Sequence, residues 1–178
     1  QSVYDYPYAS SSANHILDLS AGFSTHASSV SSSATAVAGM PGKKVNIYNQ
    51  MAQVLVGYDT GSNIRTFDAD GDFAAGGTKH HDVVFVNFSR LLVKDEIKKG
   101  SFSMVIGTGA AYATPFSNEL TISDTGADSS YLSNSPAGEY GIIKSGSANI
   151  GLIYYQAGIA VLTGSVFGLG SNMTSTGT

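Results

Sequence analysis

The chain has 178 residues, of which only 12% are charged, 21 are glycine and none is cysteine, and its formal net charge at pH 7 is −4. This length predicts one domain with a sizeable core. The lack of cysteine excludes disulfides, thiolate zinc sites and cysteine nucleophiles, and the acidic balance disfavours nucleic-acid binding, which needs a basic face. Low charge with many small and β-branched residues predicts a β-rich fold with many turns.

The first 42 residues contain no Lys or Arg and are expected to form an extended arm followed by a small-residue linker. Tyr4, Tyr6 and Tyr8 alternate along this arm. Such a row of tyrosines packs an extended segment onto a surface or stacks on sugars. Residues 43–178 are then expected to form the β-rich domain.

One helix is predicted, over residues 43–58, and Gly57 or Gly61 can end it. Its apolar residues recur at helical spacing and predict one buried stripe. The stripe comprises Ile47, Met51, Val54, Leu55 and Tyr58. A single amphipathic helix among many strands predicts that the helix covers one face of a sheet.

The most apolar strand is predicted at residues 83–89, where alternate side chains are apolar on both faces and therefore predict cover on both. A second strand is predicted at residues 102–106. Between them, Asp95 and Glu96 favour the start of a short helical turn. Gly100 favours its end in a left-handed conformation.

Further strands are predicted at residues 16–23, 119–123 and 140–144, with a polar loop at 125–138. The last apolar segment, residues 150–166, predicts a hairpin because glycines and a short polar interruption divide it into two runs. The predicted fold class is therefore β-rich, between all-β and α+β, with sandwich-like antiparallel sheets and one helix packed on one face.

Three carboxylates at alternate positions, Asp68, Asp70 and Asp72, resemble the start of a calcium loop. An EF-hand needs glycine at the sixth position and an acid at the twelfth. Here Gly71 is fourth and Lys79 is twelfth, so the EF-hand match fails. A looser calcium site stays open, but we predict that the three carboxylates are structural or solvated, and no cofactor is expected.

Two histidines and an acid follow at His80, His81 and Asp82. Adjacent residues in a strand face opposite sides, so the two imidazoles do not easily share a metal ion. A glycine-rich loop at residues 107–109 is followed by Pro115, which blocks the helix that a dinucleotide site needs. No catalytic residue is predicted, and a metal-dependent hydrolase on the aspartates is the least favoured alternative.

The chain carries no charge after Lys144, which favours an end covered by partners or packed inside. Residues 150–170 are long enough to span a bilayer, but their glycines favour the hairpin over a membrane span. Because neighbouring side chains of a strand face opposite ways, one of two adjacent tyrosines is expected to look outward. We predict an interface with neighbouring subunits, or with the rest of a longer chain, at Tyr154, Tyr155, Ile159 and Val161.

Three phrases, IYNQMAQVLVGYD, VFVNFSRLLVKDEIKKGSFSM and NIGLIYYQAGIAVLTGSVF, resemble segments of large virion structural proteins of contractile-tailed phages, particularly those of marine cyanobacteria. The resemblance extends over about residues 1–170 and consists of whole phrases, not of a catalytic signature. It implies a β-rich assembly module without enzymatic residues. It also implies that the chain is the front part of a longer polypeptide.

The resemblance also implies a location in the virion, with assembly in the cytoplasm of the bacterial host. The expected partners are copies of the chain and other virion proteins. An adhesin module that binds host-surface glycan through the tyrosine arm or through the polar loops is the alternative function. Within the particle, the resemblance implies a tail, baseplate, neck or fibre module.

Overall fold

The computed structural model describes residues 1–6, 13–27, 40–74, 76–109 and 113–167. Tyr8 and the small-residue linker, for which the sequence makes predictions, lie outside the described residues.

Antiparallel strands dominate the described residues. The strands are β1 (Ser2–Asp5), β2 (Asn14–Phe23), β3 (Phe67–Asp68), β4 (Lys79–His80), β5 (Asp82–Phe88), β6 (Ser103–Gly107), β7 (Glu119–Ser123), β8 (Leu132–Ser135), β9 (Gly138–Ser145), β10 (Ala148–Tyr154) and β11 (Ile159–Thr163). The helical segments are α1 (Met40–Leu55), α2 (Arg90–Val93), α3 (Ala127–Ser130) and two 3₁₀ turns, Pro115–Ser117 and Gly164–Phe167.

Nine of these strands form one antiparallel sheet in the order β1-β2-β5-β11-β10-β9-β7-β6, with β8 paired to β9. The remaining two, β3 and β4, form a separate ribbon. β10 and β11 form the predicted hairpin, in which Tyr154 pairs with Ile159. The predicted β-rich antiparallel fold with one helix is confirmed.

The central strands are covered on both faces. On one face α1 packs over a cluster formed by Tyr48, Ala52, Leu55, Val56, Phe67, Val83, Phe85, Tyr140, Leu152, Tyr154 and Val161. On the other face lies a cluster formed by Val86, Phe102, Ile122, Ala127, Ile143, Ile150, Ile153, Tyr155, Ala160 and Leu162. The second cluster includes Ile122 of β7, which meets β9 in one residue pair, Ser123 with Lys144. The sheet therefore curls, so that the β6–β7 hairpin covers the face opposite the helix.

The alternation in β5 agrees with the prediction, since Val83 and Phe85 belong to the helix-side cluster and Val86 to the other. The sheet order nevertheless separates β5 from β6, because β5 lies between β2 and β11 while β6 pairs with β7. These two strands are close in sequence but lie in different parts of the curled sheet.

The buried stripe of α1 differs from the prediction. Three of the five predicted residues pack on the core, since Leu55 is buried and Ile47 and Met51 contact the helix-side cluster. The predicted Val54 and Tyr58 are exposed, and Tyr48 and Ala52 are buried instead. The helix begins and ends three residues before the predicted bounds, so Tyr58 lies beyond its end. A one-residue difference in the chosen stripe rotates the face by about 100°.

The end of α1 is set by contacts with the β8–β9 turn. Gly57 has a φ of +72°, a left-handed conformation that glycine adopts without steric cost. Ser135 Oγ donates a hydrogen bond to the Leu55 carbonyl over 2.5 Å, so a helix-end carbonyl gains a partner. The prediction that Gly57 can end the helix is confirmed.

α1 approaches β2 closely at Gly22. A Cβ atom at this glycine would lie 2.8 Å from Cε2 of Phe85 and 3.0 Å from the backbone nitrogen of Tyr48. Both distances are shorter than ordinary van der Waals contact, so only glycine fits between the helix and the sheet here.

The N-terminal residues are part of this sheet. β2 pairs with β5 along seven residue pairs, from Leu17 with Phe88 to Phe23 with Asp82, and β1 pairs with β2. The predicted boundary at residue 42 therefore does not separate an arm from the β-rich domain, because a strand before this boundary is inserted beside the most apolar strand.

Two local predictions need correction. The helical turn after β5 is Arg90–Val93, which ends before Asp95 and Glu96 instead of starting there; Gly100 does have a positive φ, of +73°. The segment at residues 125–138, predicted as a loop, contains α3 and β8. α3 and β8 are short, and their polar sequences give no periodic signal.

Candidate functional site

The acidic loop connects β3 to β4 and brings the three predicted carboxylates together. One carboxylate oxygen from each of Asp68, Asp70 and Asp72 lies within 4.8 Å of the others. Asp70 and Asp72 are exposed, but Asp68 is fully buried. The first carboxylate is thus withdrawn from solvent, whereas the other two are accessible.

Lys79 is the cationic partner of the buried carboxylate. The ribbon register places Lys79 opposite Asp68, and its ammonium group donates to Asp68 Oδ2 and to the Ala74 carbonyl over 2.5 Å. Burial raises the pKa of Asp68, the Lys79 ammonium opposes this rise, and the nearby Asp70 carboxylate adds to it. Lys79, which stands at the position where an EF-hand has an acid, is thus an ion-pair partner of the loop.

Aromatic contacts fix the loop to the sheet. Phe73 stacks on Tyr140 with ring centroids 5.9 Å apart, and Tyr140 stacks on Tyr154 at 5.2 Å. The Tyr140 hydroxyl donates to the Gly71 carbonyl over 2.6 Å and contacts the side-chain oxygen of Asn134. Burial raises the pKa of Tyr140 to about 12. The backbone between the aspartates is therefore held against β9.

A helix tyrosine holds the ribbon itself. The Tyr48 hydroxyl donates to the His80 carbonyl over 2.9 Å and accepts from the Phe67 N–H over 3.1 Å. Phe67 and His80 are directly paired in the ribbon, so one hydroxyl bridges both strands. The sequence prediction did not include Tyr48 in the apolar stripe of the helix and therefore missed this role. The amphipathic pattern of α1 was the one sequence signal for it.

The two adjacent histidines have different surroundings. His80 is buried, its Nε2 atom has no hydrogen-bond partner, and burial lowers its pKa from 6.5 to about 4. His81 Nδ1 lies 2.8 Å from Ser24 Oγ, and its ring centroid is 5.9 Å from that of His26. Ser24 is buried, so its hydroxyl is not presented to a substrate at the surface.

The hairpin residues chosen as an interface lie inside the fold. Tyr154, Tyr155 and Val161 have no exposed surface, and Ile159 is half-buried. Tyr154 and Tyr155 do face opposite sides, since they belong to different core clusters. The predicted interface at Tyr154, Tyr155 and Val161 is therefore wrong, because α1 covers one face of the hairpin and the β6–β7 side covers the other. This double cover accounts for the absence of charged side chains from β10 and β11.

Apolar side chains are exposed elsewhere, at the edges of the sheet and on α2. Tyr4 and Tyr6 at the β1 edge are half or more exposed, as is Leu92 of α2. Val105 on β6 is 47% exposed and Leu91 on α2 is 88% exposed. These positions are part of the accessible apolar surface of the described residues.

Comparisons of the chain with protein-family models, with curated proteins and with solved structures gave no match. The resemblance to phage virion proteins therefore stays a prediction. Among the described residues, no helix has both the length and the apolar character needed to cross a membrane, and Ala148–Tyr154 and Ile159–Thr163 form strands.

Proposed function

We propose that the chain is a structural module of a phage virion that acts by protein–protein packing. The observation that supports this proposal is the pair of open sheet edges. β1 and β6 end the strand order, and each has one strand partner among the described residues. An unpaired edge strand offers a row of N–H and C=O groups to another chain.

The composition of the edge strand β6 favours pairing with another chain. Edges that avoid association commonly carry charged side chains or proline. β6 has the sequence SMVIG, without charge, and Val105 is exposed on it. In this proposal a strand of a second copy, or of another virion protein, pairs with β6.

A lysine substitution tests this edge. Val105→Lys places a charge on the exposed face of β6 and should weaken association at least about tenfold, since an unpaired charge at a desolvated contact costs more than 1.4 kcal/mol. Val54→Lys is the matched control, because Val54 is also an exposed valine but lies on α1. Sedimentation velocity and native mass spectrometry measure the association, and circular dichroism checks the fold.

Localisation requires a separate experiment. Mass spectrometry of purified phage particles should find this chain, and cross-links from Lys98 and Lys99 should identify its neighbours and its position in the particle. A wild-type protein that stays monomeric at all concentrations and gives no cross-links in particles contradicts the proposal.

The second candidate is a glycan-binding module, and the exposure of Tyr4 and Tyr6 favours it. Exposed aromatic rings stack on sugar faces. In a glycan array, the double substitution Tyr4→Ala and Tyr6→Ala should abolish any binding of the wild-type chain, whereas Tyr58→Ala, at another exposed tyrosine, should not.

A further inference from the structure

The acidic loop holds more negative charge than its contacts neutralise. Three carboxylates converge at Asp68, Asp70 and Asp72, and Lys79 is the one cation that forms an ion pair with them among the described residues. Like charges held this close repel each other unless a proton or a cation lies between them. A further positive charge at the loop would therefore reduce this repulsion.

The buried carboxylate shows where this charge is missing. Asp68 Oδ2 contacts Lys79, but Asp68 Oδ1 is buried and has no hydrogen-bond partner. A buried polar atom without a partner is destabilising, and more so when it belongs to a charged group. Native proteins keep few such atoms, and a bound ion is a recognised reason for them.

Asp68 Oδ1 faces the other carboxylates. A Cβ atom at Gly77 would lie 3.6 Å from Asp68 Oδ1 and 3.8 Å from Asp70 Oδ2, so one point in space adjoins both oxygens. Gly77 has a φ of +79°, which a residue with a side chain adopts only with strain. The chain thus leaves open the space beside these two atoms.

The other oxygens are already in use. Asp70 Oδ1 accepts the Asp72 N–H over 3.4 Å, and Asp72 Oδ1 accepts the Ala74 N–H over 2.7 Å. Each of the three carboxylates therefore keeps one oxygen that receives no hydrogen bond from the described residues. The backbone orients these carboxylates before any ligand binds.

We propose that the loop binds a divalent cation of the calcium class through one oxygen each of Asp68, Asp70 and Asp72. Calcium accepts six to eight oxygen ligands at about 2.3–2.6 Å, so oxygens on opposite sides of one ion are about 5 Å apart. The 4.8 Å limit on the carboxylate separations fits within this span. Because Asp70 and Asp72 are exposed, water can complete the coordination shell.

Lys79 does not occupy the proposed position. Its ammonium group binds the opposite oxygen of Asp68 and the Ala74 carbonyl. The cation would thus reach Asp68 from the side of Asp70 and Gly77, and would connect the loop to the buried end of β3. The EF-hand spacing is not needed, because the ligands come from one short turn anchored by Tyr140.

Calcium titration of the intact chain tests the site. Isothermal titration calorimetry should show one binding event, and free calcium at 100 times the dissociation constant should raise Tm by about 5–10 °C. Asp70→Asn and Asp72→Asn should each weaken calcium binding at least about tenfold, because each removes one charged ligand. Both residues are exposed, so neither substitution should prevent folding.

Asp128→Asn is the matched control, since Asp128 is an exposed aspartate on α3 and the substitution changes the net charge equally. It should leave the calcium affinity unchanged. In the arrangement that competes with cation binding, Asp68 and Asp70 share a proton. The proposal is overturned if calcium gives neither heat nor a Tm shift, or if Asp128→Asn weakens binding as much as Asp70→Asn does.

Discussion

Tyr155 donates a hydrogen bond to the buried carboxylate of Asp124 over 3.0 Å. The same carboxylate accepts the N–H groups of Gly100 and Phe102 over 2.9 and 2.8 Å, so Asp124 joins the hairpin to the segment before β6. Tyr154, the preceding residue, is equally buried, but its hydroxyl has no partner. Two adjacent tyrosines, one at the end of β10 and one just after it, therefore differ in their hydrogen bonding.

We expect the two tyrosines to respond oppositely to loss of the hydroxyl. Tyr155→Phe should lower the free energy of unfolding by about 1–3 kcal/mol, because a buried carboxylate loses a donor. Tyr154→Phe should leave it unchanged or raise it by up to about 1 kcal/mol, because a buried unpaired hydroxyl is removed. Urea denaturation of both variants measures the difference. A larger loss for Tyr154→Phe contradicts the assignment.

His80 should make the fold sensitive to acid. Burial lowers the pKa of His80 from 6.5 to about 4, so the unfolded chain binds a proton more readily than the folded chain. This pKa difference does not reduce the free energy of unfolding above pH 6.5, but it reduces it increasingly as the pH falls from 6.5 to 4. The resulting loss at pH 4 is about 3 kcal/mol.

His80→Leu isolates this effect. The variant should match or exceed the wild-type stability at pH 8, since it removes an unpaired buried nitrogen, and it should lose about 3 kcal/mol less on acidification to pH 4. Chemical denaturation at both pH values measures the difference. Parallel pH curves for the two proteins rule out His80 as the acid-sensitive group.

The close approach of α1 and β2 predicts opposite effects at two glycines. Gly22→Ala should destabilise the fold by about 1–3 kcal/mol, because the new methyl group meets Phe85 and the α1 backbone. Gly42→Ala should stabilise it by up to about 1 kcal/mol, because Gly42 is exposed in α1 with no atom near its Cβ position and alanine favours helix. Thermal denaturation of both variants is the measurement, and equal effects would falsify the packing role of Gly22.

The bridge from α1 to the ribbon predicts a specific effect at Tyr48. Tyr48→Phe keeps the edge-on contact with the Phe67 ring, whose centroid lies 5.3 Å away, but removes the partner of two buried backbone groups. The expected loss is about 1–3 kcal/mol. Hydrogen exchange should accelerate at the Phe67 amide and stay unchanged in β10. Unchanged exchange at Phe67 contradicts the bridge.

The sequence by itself determined most of the strands and the existence of α1, because alternation and helical spacing are local patterns. The predicted runs at residues 16–23, 119–123 and 140–144 fall within β2, β7 and β9. Local patterns also identified the double-faced apolar character of β5. They did not identify α3 and β8, whose few residues are polar and non-periodic.

Only the tertiary structure decided what covers each face. The sequence showed that Tyr154 and Tyr155 face opposite sides, but whether each side meets solvent depends on α1 and on β7, which are distant in the chain. The same holds for the acidic loop: the spacing placed three aspartates on one turn, whereas the burial of Asp68 and its contact with Lys79 follow from the ribbon register. Burial and ion pairing arise from contacts between distant segments, which a local pattern does not contain.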